Sequence, residues 1–335
     1  MNLKIFFNIL AVFLIALLAV FSYFYLLPHQ KANFGNEAKY LLIKKGESVN
    51  LIGANLDSLG AISSKADFVF FAKLLHKSSH LRVGRYSIKP NSSLATIIGM
   101  IERGESTPYN VTIPEGFNMG QISNLLETTI DIDLPQFRDA VTDRHYLDSL
   151  SITAGNLEGY LAPSTYNLYY DESPRRVVNK MVSHFFQSLP ESFEAKARRL
   201  GLTMHQAVTL ASLVEKEARL DSERPIIAAV YLNRMRKGWL LQCDPTVIYA
   251  LGGLNRPLTR GDLEIDSPYN TYRNYGLPPG PITNPGVKAL EAAVNPAPVG
   301  YLYFVARGDG SHVFSFTLDD HNTATARVKR NNGKR

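Results

Sequence analysis

The chain carries one cysteine, Cys243, in 335 residues. A single thiol excludes an intrachain disulfide, so the cysteine frameworks that staple small secreted domains do not apply. There is no Gly-rich phosphate loop, no dinucleotide fingerprint and no nucleophile elbow, which removes kinases, dehydrogenases and serine hydrolases. No basic-aromatic recognition motif accompanies the positive charge, so nucleic acid is not the expected partner. His76 and His80 have the i, i+4 spacing of a helical zinc pair, but no glutamate lies between them and no third ligand is evident. They read as a solvated helix end, and neither a metal nor a cofactor is expected. Asp319-Asp320-His321 resembles a triad only on paper, because adjacent residues do not face one another as a triad requires. His321 and His312 are therefore read as structural.

What is present is apolar. Hydrophobic residues make up 45% and charged residues 20%, enough for a sizeable core divided between two folded units plus an anchor. From Ile5 to Leu27 only Asn8 and Ser22 interrupt an apolar run, about the ~20 residues that cross a bilayer as a helix. The run is too long for a signal-peptide core, and the bulky Tyr23–Leu27 stretch offers no small-x-small cleavage site. Residues 1–30 are thus expected to be a cytoplasmic stub and a single membrane span, with the large domain on the far side. A net charge of +6 and a pI near 9.2 suit an anionic surface such as phospholipid head groups or an acidic wall polymer.

The region 31–150 contains a repeat. Ile43-Lys44-Lys45-Gly46 and Ile113-Pro114-Glu115-Gly116 share one frame at an offset of 70 residues: an apolar strand, a Gly turn, then a helix in which Ile52 and Leu56 match Ile122 and Leu126. A looser copy starts at Tyr86, with Ser92 or Ser93 capping a helix through Ile97, Ile98 and Ile101 that stops at Gly104. Another amphipathic helix is expected over Asp67–Leu75. Such strand-turn-helix units resemble LysM-type carbohydrate-binding modules. Exposed aromatics such as Tyr86 and Tyr109 could stack on sugar rings there, or could equally pack a strand edge.

In the half spanning 151–328, Thr203 with Gln206 forms a capping box, and Ala207, Leu210, Ala211, Val214 and Ala218 recur at helical spacing. A second helix has Pro225 in its first turn and Gly238 as its stop. A third begins at Asp244-Pro245, with Asp244 as the cap. A polar-aromatic loop, Tyr269–Tyr272, and a rigid Pro/Gly turn, Gly276–Ile282, precede two strands, Tyr301–Ala306 and His312–Thr317. The basic tail, residues 329–335 with Arg327 and Val328 before them, is expected to fray in solvent. The fold class is α+β, with a helical core in the second half.

Six stretches in order, Leu157–Tyr166, Ala211–Glu217, Leu241–Tyr249, Ser267–Tyr272, Gly276–Gly280 and Tyr301–Val305, resemble the successive signatures of the YceG-like (MltG-type) endolytic murein transglycosylases. The resemblance, which extends to the anchor and the LysM-like region, implies a single-pass inner-membrane enzyme with its catalytic domain outside the cytoplasm. Such an enzyme cleaves peptidoglycan glycan strands between MurNAc and GlcNAc, leaves a 1,6-anhydro-MurNAc end, and acts beside peptidoglycan synthases of the penicillin-binding type. Cys243 stands where threonine is common in the family, and Ala162-Pro163-Ser164 where an aromatic and an aspartate are common. Neither departure is expected to touch the acid.

Glu215 and Glu217 are the carboxylates of interest. On a helix Glu217 stacks over Leu213 and Val214, whose desolvation raises a carboxyl pKa, whereas Glu215 has Arg219 four residues on to keep it ionised. Glu217 is the expected catalytic acid and Glu215 its ion-paired neighbour. An N-acetyl sugar can provide its own nucleophile, so one acid can suffice. Gln242, Tyr269, Asn270 and Tyr272 are candidates for hydrogen bonds to the glycan. Glu158 is either a second carboxylate of the cleft or a satisfied structural group. The alternative function is a non-catalytic peptidoglycan-binding scaffold for wall synthases.

Overall fold

A computed structural model describes residues 3–29, 31 and 35–332. The chain divides into two compact units, residues 1–109 with 167–171, and residues 110–166 with 172–335. The expected boundary at residue 150 thus moves to Tyr109. The helices between 119 and 149 belong with the second unit because one of them packs on the helix that starts at Pro174.

In the first unit, α1 (Leu3–Leu26) is the one helix among the described residues that is long and apolar enough to cross a membrane. Strands β1 (Lys39–Ile43) and β2 (Gly84–Ile88) pair antiparallel, with Lys39 opposite Ile88 and Ile43 opposite Gly84. Alternation sends Leu41, Ile43, Tyr86 and Ile88 into the core, as the two-residue period of a strand requires. Helices α2 (Val49–Ser58), α3 (Lys65–Leu74) and α4 (Leu94–Arg103) start at Ser48, Ser64 and Ser93, each of whose hydroxyls accepts a first-turn N–H; such caps are worth about 1 kcal/mol apiece. Helix α4 stops at Gly104, which adopts φ 70°, a left-handed position that glycine takes without a Cβ penalty. Tyr86 is no surface platform. It is fully buried, and its hydroxyl donates to the Arg82 carbonyl at 2.8 Å. His76 lies beyond the end of α3 at φ 55°, so His76 and His80 do not share a helix face.

The second unit opens within β3 (Tyr109–Ile113) and continues through α5 (Met119–Ile130), α6 (Leu134–Thr142), α7 (Arg144–Ser149) and most of β4 (Ser164–Leu168), with β3 paired to β4. Then come α8 (Pro174–Ser188), α9 (Phe193–Arg199), α10 (Met204–Glu217), α11 (Arg224–Arg236), α12 (Asp244–Ala250), α13 (Val287–Val294), β5 (Tyr303–Ala306), β6 (His312–Ser315) and α14 (Leu318–Asn332). The repeat is more regular than the sequence suggests. Strand and helix starts are ten residues apart in β1–α2, β2–α4, β3–α5 and β4–α8 alike. The fourth copy escapes a reading of apolar runs because three of its five strand residues, Ser164, Thr165 and Asn167, are polar.

Helix α10 is the centre of this unit and packs on α9, α11, α12 and α13. Every residue from Ala207 to Val214 is buried, and Leu210, Leu213 and Val214 each contribute about 1.5–3 kcal/mol by leaving water. The Thr203/Gln206 capping box forms at its start. Strands β5 and β6 pair antiparallel around the turn at residues 307–310. Of the tail expected to fray, residues 327–332 are helical: α14 runs from Leu318 to Asn332, started by the Thr317 hydroxyl, which accepts the Asp320 N–H and donates to its carboxylate. Residues 333–335 lie outside the described residues.

Candidate active site

Glu217 is the last residue of α10, and Ala218 leaves the helix with ψ 123°. The carboxyl therefore projects where the helix stops and neighbouring elements can reach it. Its Oε1 accepts hydrogen bonds from the Tyr231 hydroxyl on α11, at 3.2 Å, and from the Cys243 thiol, at 3.4 Å. Burial pushes the pKa of Glu217 up and the nearby Asp244 carboxylate adds to this, whereas the Cys243 and Tyr231 bonds and the His312 ring pull it down. The Cys243 thiol and the Tyr231 hydroxyl are themselves raised well above their ordinary values, first by burial. Both stay protonated and donate.

Glu217 opens onto a cavity of about 290 Å3 whose other walls include Arg234, Gln242, Asp244, Tyr272 and His321. Arg234 is pinned there by its own bonds, Nε to the Leu302 carbonyl at 2.7 Å and Nη1 to the Leu241 carbonyl at 2.8 Å. The Tyr272 hydroxyl donates to the Asp244 carboxylate. Gln242 sits in the left-handed region at φ 50°, a conformation that costs a non-glycine residue about 1–3 kcal/mol and has to be imposed by its surroundings. Those surroundings are Thr271: its carbonyl accepts the Gln242 N–H at 3.1 Å and its hydroxyl the Cys243 N–H at 2.9 Å.

Several expectations change. Cys243, expected to lie away from the acid, touches it. Asp244 does not cap α12; it is that helix's first residue, Cys243 occupies the cap position, and no side-chain cap bond forms, which leaves the Asp244 carboxylate to Tyr272. Glu215 is ion-paired as expected, but with Arg224 at 3.1 Å and not with Arg219. The helix ends at Glu217, so Arg219 is no longer one turn ahead of Glu215 on the same face. The second oxygen of Glu215 accepts the Gly286 N–H at 2.9 Å, at the start of α13. Its role is to tie α10, α11 and α13 together.

Glu158 is not among the residues around the Glu217 cavity. It is buried, and its carboxyl accepts the Met119 N–H at 3.1 Å, the Asn284 amide at 2.9 Å and the Tyr249 hydroxyl at 3.4 Å. Burial carries its pKa up to about 7 against the pull of these donors. The satisfied structural glutamate is thus the better description. Tyr269 belongs to this second cluster, its ring 5.0 Å from that of Tyr249. Asn270 is fully buried and its side chain is committed, donating to the carbonyls of Leu263 and Ile265 and accepting the Tyr272 N–H. Of the four expected glycan contacts, then, the structure brings Gln242 and Tyr272 to the acid and directs Tyr269 and Asn270 elsewhere.

Tyr231, Arg234 and Asp244 were not singled out from the sequence as site residues. Tyr231 and Arg234 are three apart on α11 and so share a face; that spacing was the available signal. His321, read as structural, lines the cavity and stacks on Tyr303 with ring centroids 5.3 Å apart. Burial and then Arg234 lower its pKa, favouring the neutral ring. His312 does have a structural partner, Glu223, at 2.6 Å.

The sequence model of the YceG-like family matches residues 41–327. An endolytic murein transglycosylase of Bacillus subtilis is 34% identical over 300 residues, covering 84% of this chain and 82% of that protein. One of Streptococcus pneumoniae is 28% identical, covering 91% of this chain and 61% of the longer streptococcal protein. A 2.6 Å crystal structure of a YceG-like protein from Listeria monocytogenes superposes with a TM-score of 0.60 at 32% identity, covering 86% of this chain and 99% of that one.

Proposed function

The chain belongs to the YceG-like family, and from that premise we propose that it is an endolytic murein transglycosylase with Glu217 as its general acid. The observation that carries the assignment is the Glu217 carboxyl itself: desolvated, bonded by two neutral donors, and open to a cavity of about 290 Å3. A carboxyl held protonated toward neutral pH is what a leaving sugar oxygen needs.

In the proposed reaction, Glu217 gives its proton to the glycosidic oxygen as the bond from MurNAc C1 breaks. The MurNAc 6-hydroxyl then bonds to C1 and returns its proton to the Glu217 carboxylate. One bond is broken and one formed, the acid is regenerated, and no water is consumed. Tyr231 and Cys243 stabilise the carboxylate between the two steps, while Gln242 and Tyr272, which line the same cavity, are the proposed hydrogen-bond partners of the sugar.

Helix α1 is read as a single-pass anchor in the inner membrane, with its N-terminus cytoplasmic and the catalytic unit outside. The β1-α2-α3-β2 arrangement is read as LysM-like and as a second contact with glycan. Peptidoglycan synthases are the proposed partners, so that cleavage ends strands as they are made. Purified peptidoglycan digested with the full chain in detergent tests the reading by the mass of the products. Anhydro ends support it, reducing ends indicate a hydrolase, and intact glycan indicates a scaffold.

A further inference from the structure

A second cavity, of about 420 Å3, adjoins the acid's own and shares Arg234 and Gln242 with it. Its walls include Trp239, the chain's one tryptophan, with Tyr275 and Tyr303. Trp239 is 39% exposed and Tyr275 72%. Two large rings left in water around a concave site of ligand size are not accounted for by core packing. Tyr303 is fixed behind them, its ring 6.0 Å from Trp239 and 5.3 Å from the Arg234 guanidinium. The Lys237 ammonium lies 5.9 Å from the Trp239 ring.

We propose that this aromatic cavity is a distal glycan subsite, occupied by an N-acetylhexosamine ring of the same strand that Glu217 cleaves. The proposal rests on the glycan-cleaving reading above and extends it. Continuity is the first argument: Arg234 and Gln242 wall both cavities, so a polymer lying past Glu217 runs on to Trp239. Chemistry is the second. A pyranose has an apolar C–H face and a rim of hydroxyls, and the cavity presents aromatic rings beside the Gln242 amide and the Arg234 guanidinium, which match both parts. A lipid tail would leave Arg234 and Gln242 facing hydrocarbon, at a cost. Gln242, with its left-handed backbone, lies at the junction of the two cavities.

Because Trp239 is the sole tryptophan, its emission reports on this subsite alone. In the Glu217→Gln chain, which holds glycan without cutting it, peptidoglycan glycan fragments of several disaccharides are expected to shift the emission to the blue with saturation, and single disaccharides to leave it unchanged. Saturable binding of the long fragments by calorimetry with unaltered emission would overturn the proposal. In the otherwise native chain, Trp239→Ala is expected to lower kcat/KM on polymeric glycan about tenfold, equivalent to about 1.4 kcal/mol, and Trp239→Phe to restore most of it. Native kcat/KM in Trp239→Ala would remove the subsite and leave the transglycosylase reading standing. Absence of any cleavage by the native chain would remove the reading on which the subsite rests.

Discussion

Replacing Glu215 by glutamine should cost stability far more than chemistry. The Glu215 and Arg224 side chains are 6% and 7% exposed and 3.1 Å apart, so solvent screens the pair little. Breaking a buried ion pair costs about 3–5 kcal/mol, and because Arg224 keeps the half-exposed Asp221 carboxylate at 3.1 Å, the loss expected here is about 3 kcal/mol. The charge-assisted bond from the Gly286 N–H falls within the same network and is not to be added separately. For a folded unit of this size, each kcal/mol moves Tm by about 2–4 °C, which makes the expected loss roughly 6–12 °C. Thermal melts of the full chain in detergent, followed by circular dichroism, measure it. Hydrogen exchange at the Gly286 amide should lose protection in step, because that amide is tied to the lost carboxylate. Arg219→Ala is the control and should fall within about 0.5 kcal/mol of the native chain, as surface changes do. A Glu215→Gln loss below about 1 kcal/mol, or an Arg219→Ala loss as large as that of Glu215→Gln, would refute the assignment of Arg224 as the partner.

Other outcomes follow from the same geometry. Tyr231→Phe removes a donor that lowers the pKa of Glu217, so the alkaline limb of the kcat/KM profile should move to higher pH; a limb that stays or moves down contradicts the role given to that bond. Glu158 is raised in the folded state from 4.5 to about 7, so its contribution to stability is complete below pH 4.5 and lost as pH rises through about 7. At about 1.4 kcal/mol per pH unit that slope is worth roughly 3 kcal/mol, and urea titrations of Glu158→Gln should show it flattened; an unchanged slope would disprove the assignment. Glu217 is likewise raised, so Glu217→Gln should be more resistant to urea than the native chain at pH 8, with the advantage vanishing in acid; a less stable variant at pH 8 counts against a desolvated carboxyl.

Local patterns in the sequence carried much of this architecture. The offset of 70 between the Gly46 and Gly116 turns is the offset between β1–α2 and β3–α5, and Ser93, Gly104, Thr203 and Gly238 mark element ends as their capping chemistry predicts. What stayed hidden depends on distance in the chain. Arg224, Gly286 and Cys243 reach the two glutamates from other elements, and no spacing rule within α10 points to them. Helix α11 is buried around most of its circumference, so periodicity could not show which face Tyr231 and Arg234 present. Gly159 illustrates a motif glycine whose reason is tertiary: it sits at φ 87°, and a Cβ there would lie 2.5 Å or less from the Pro281 ring. Two of the sequence blocks, Leu157–Tyr166 and the turn at residues 276–282, therefore fit together only with glycine at that point. Ser212 completes the joint by accepting the Ile282 N–H at 3.1 Å.

The central claim is that one desolvated carboxyl cuts the glycan without water. Digestion of peptidoglycan in H2(18)O by the native chain and by Glu217→Gln, with the new ends weighed, tests it most directly. The account predicts anhydro-MurNAc ends free of label from the native chain and a loss of at least about a hundredfold in their rate of formation with Glu217→Gln, the lower range for removing a general acid. Labelled reducing ends, or a Glu217→Gln chain that forms anhydro ends at the native rate, would contradict it.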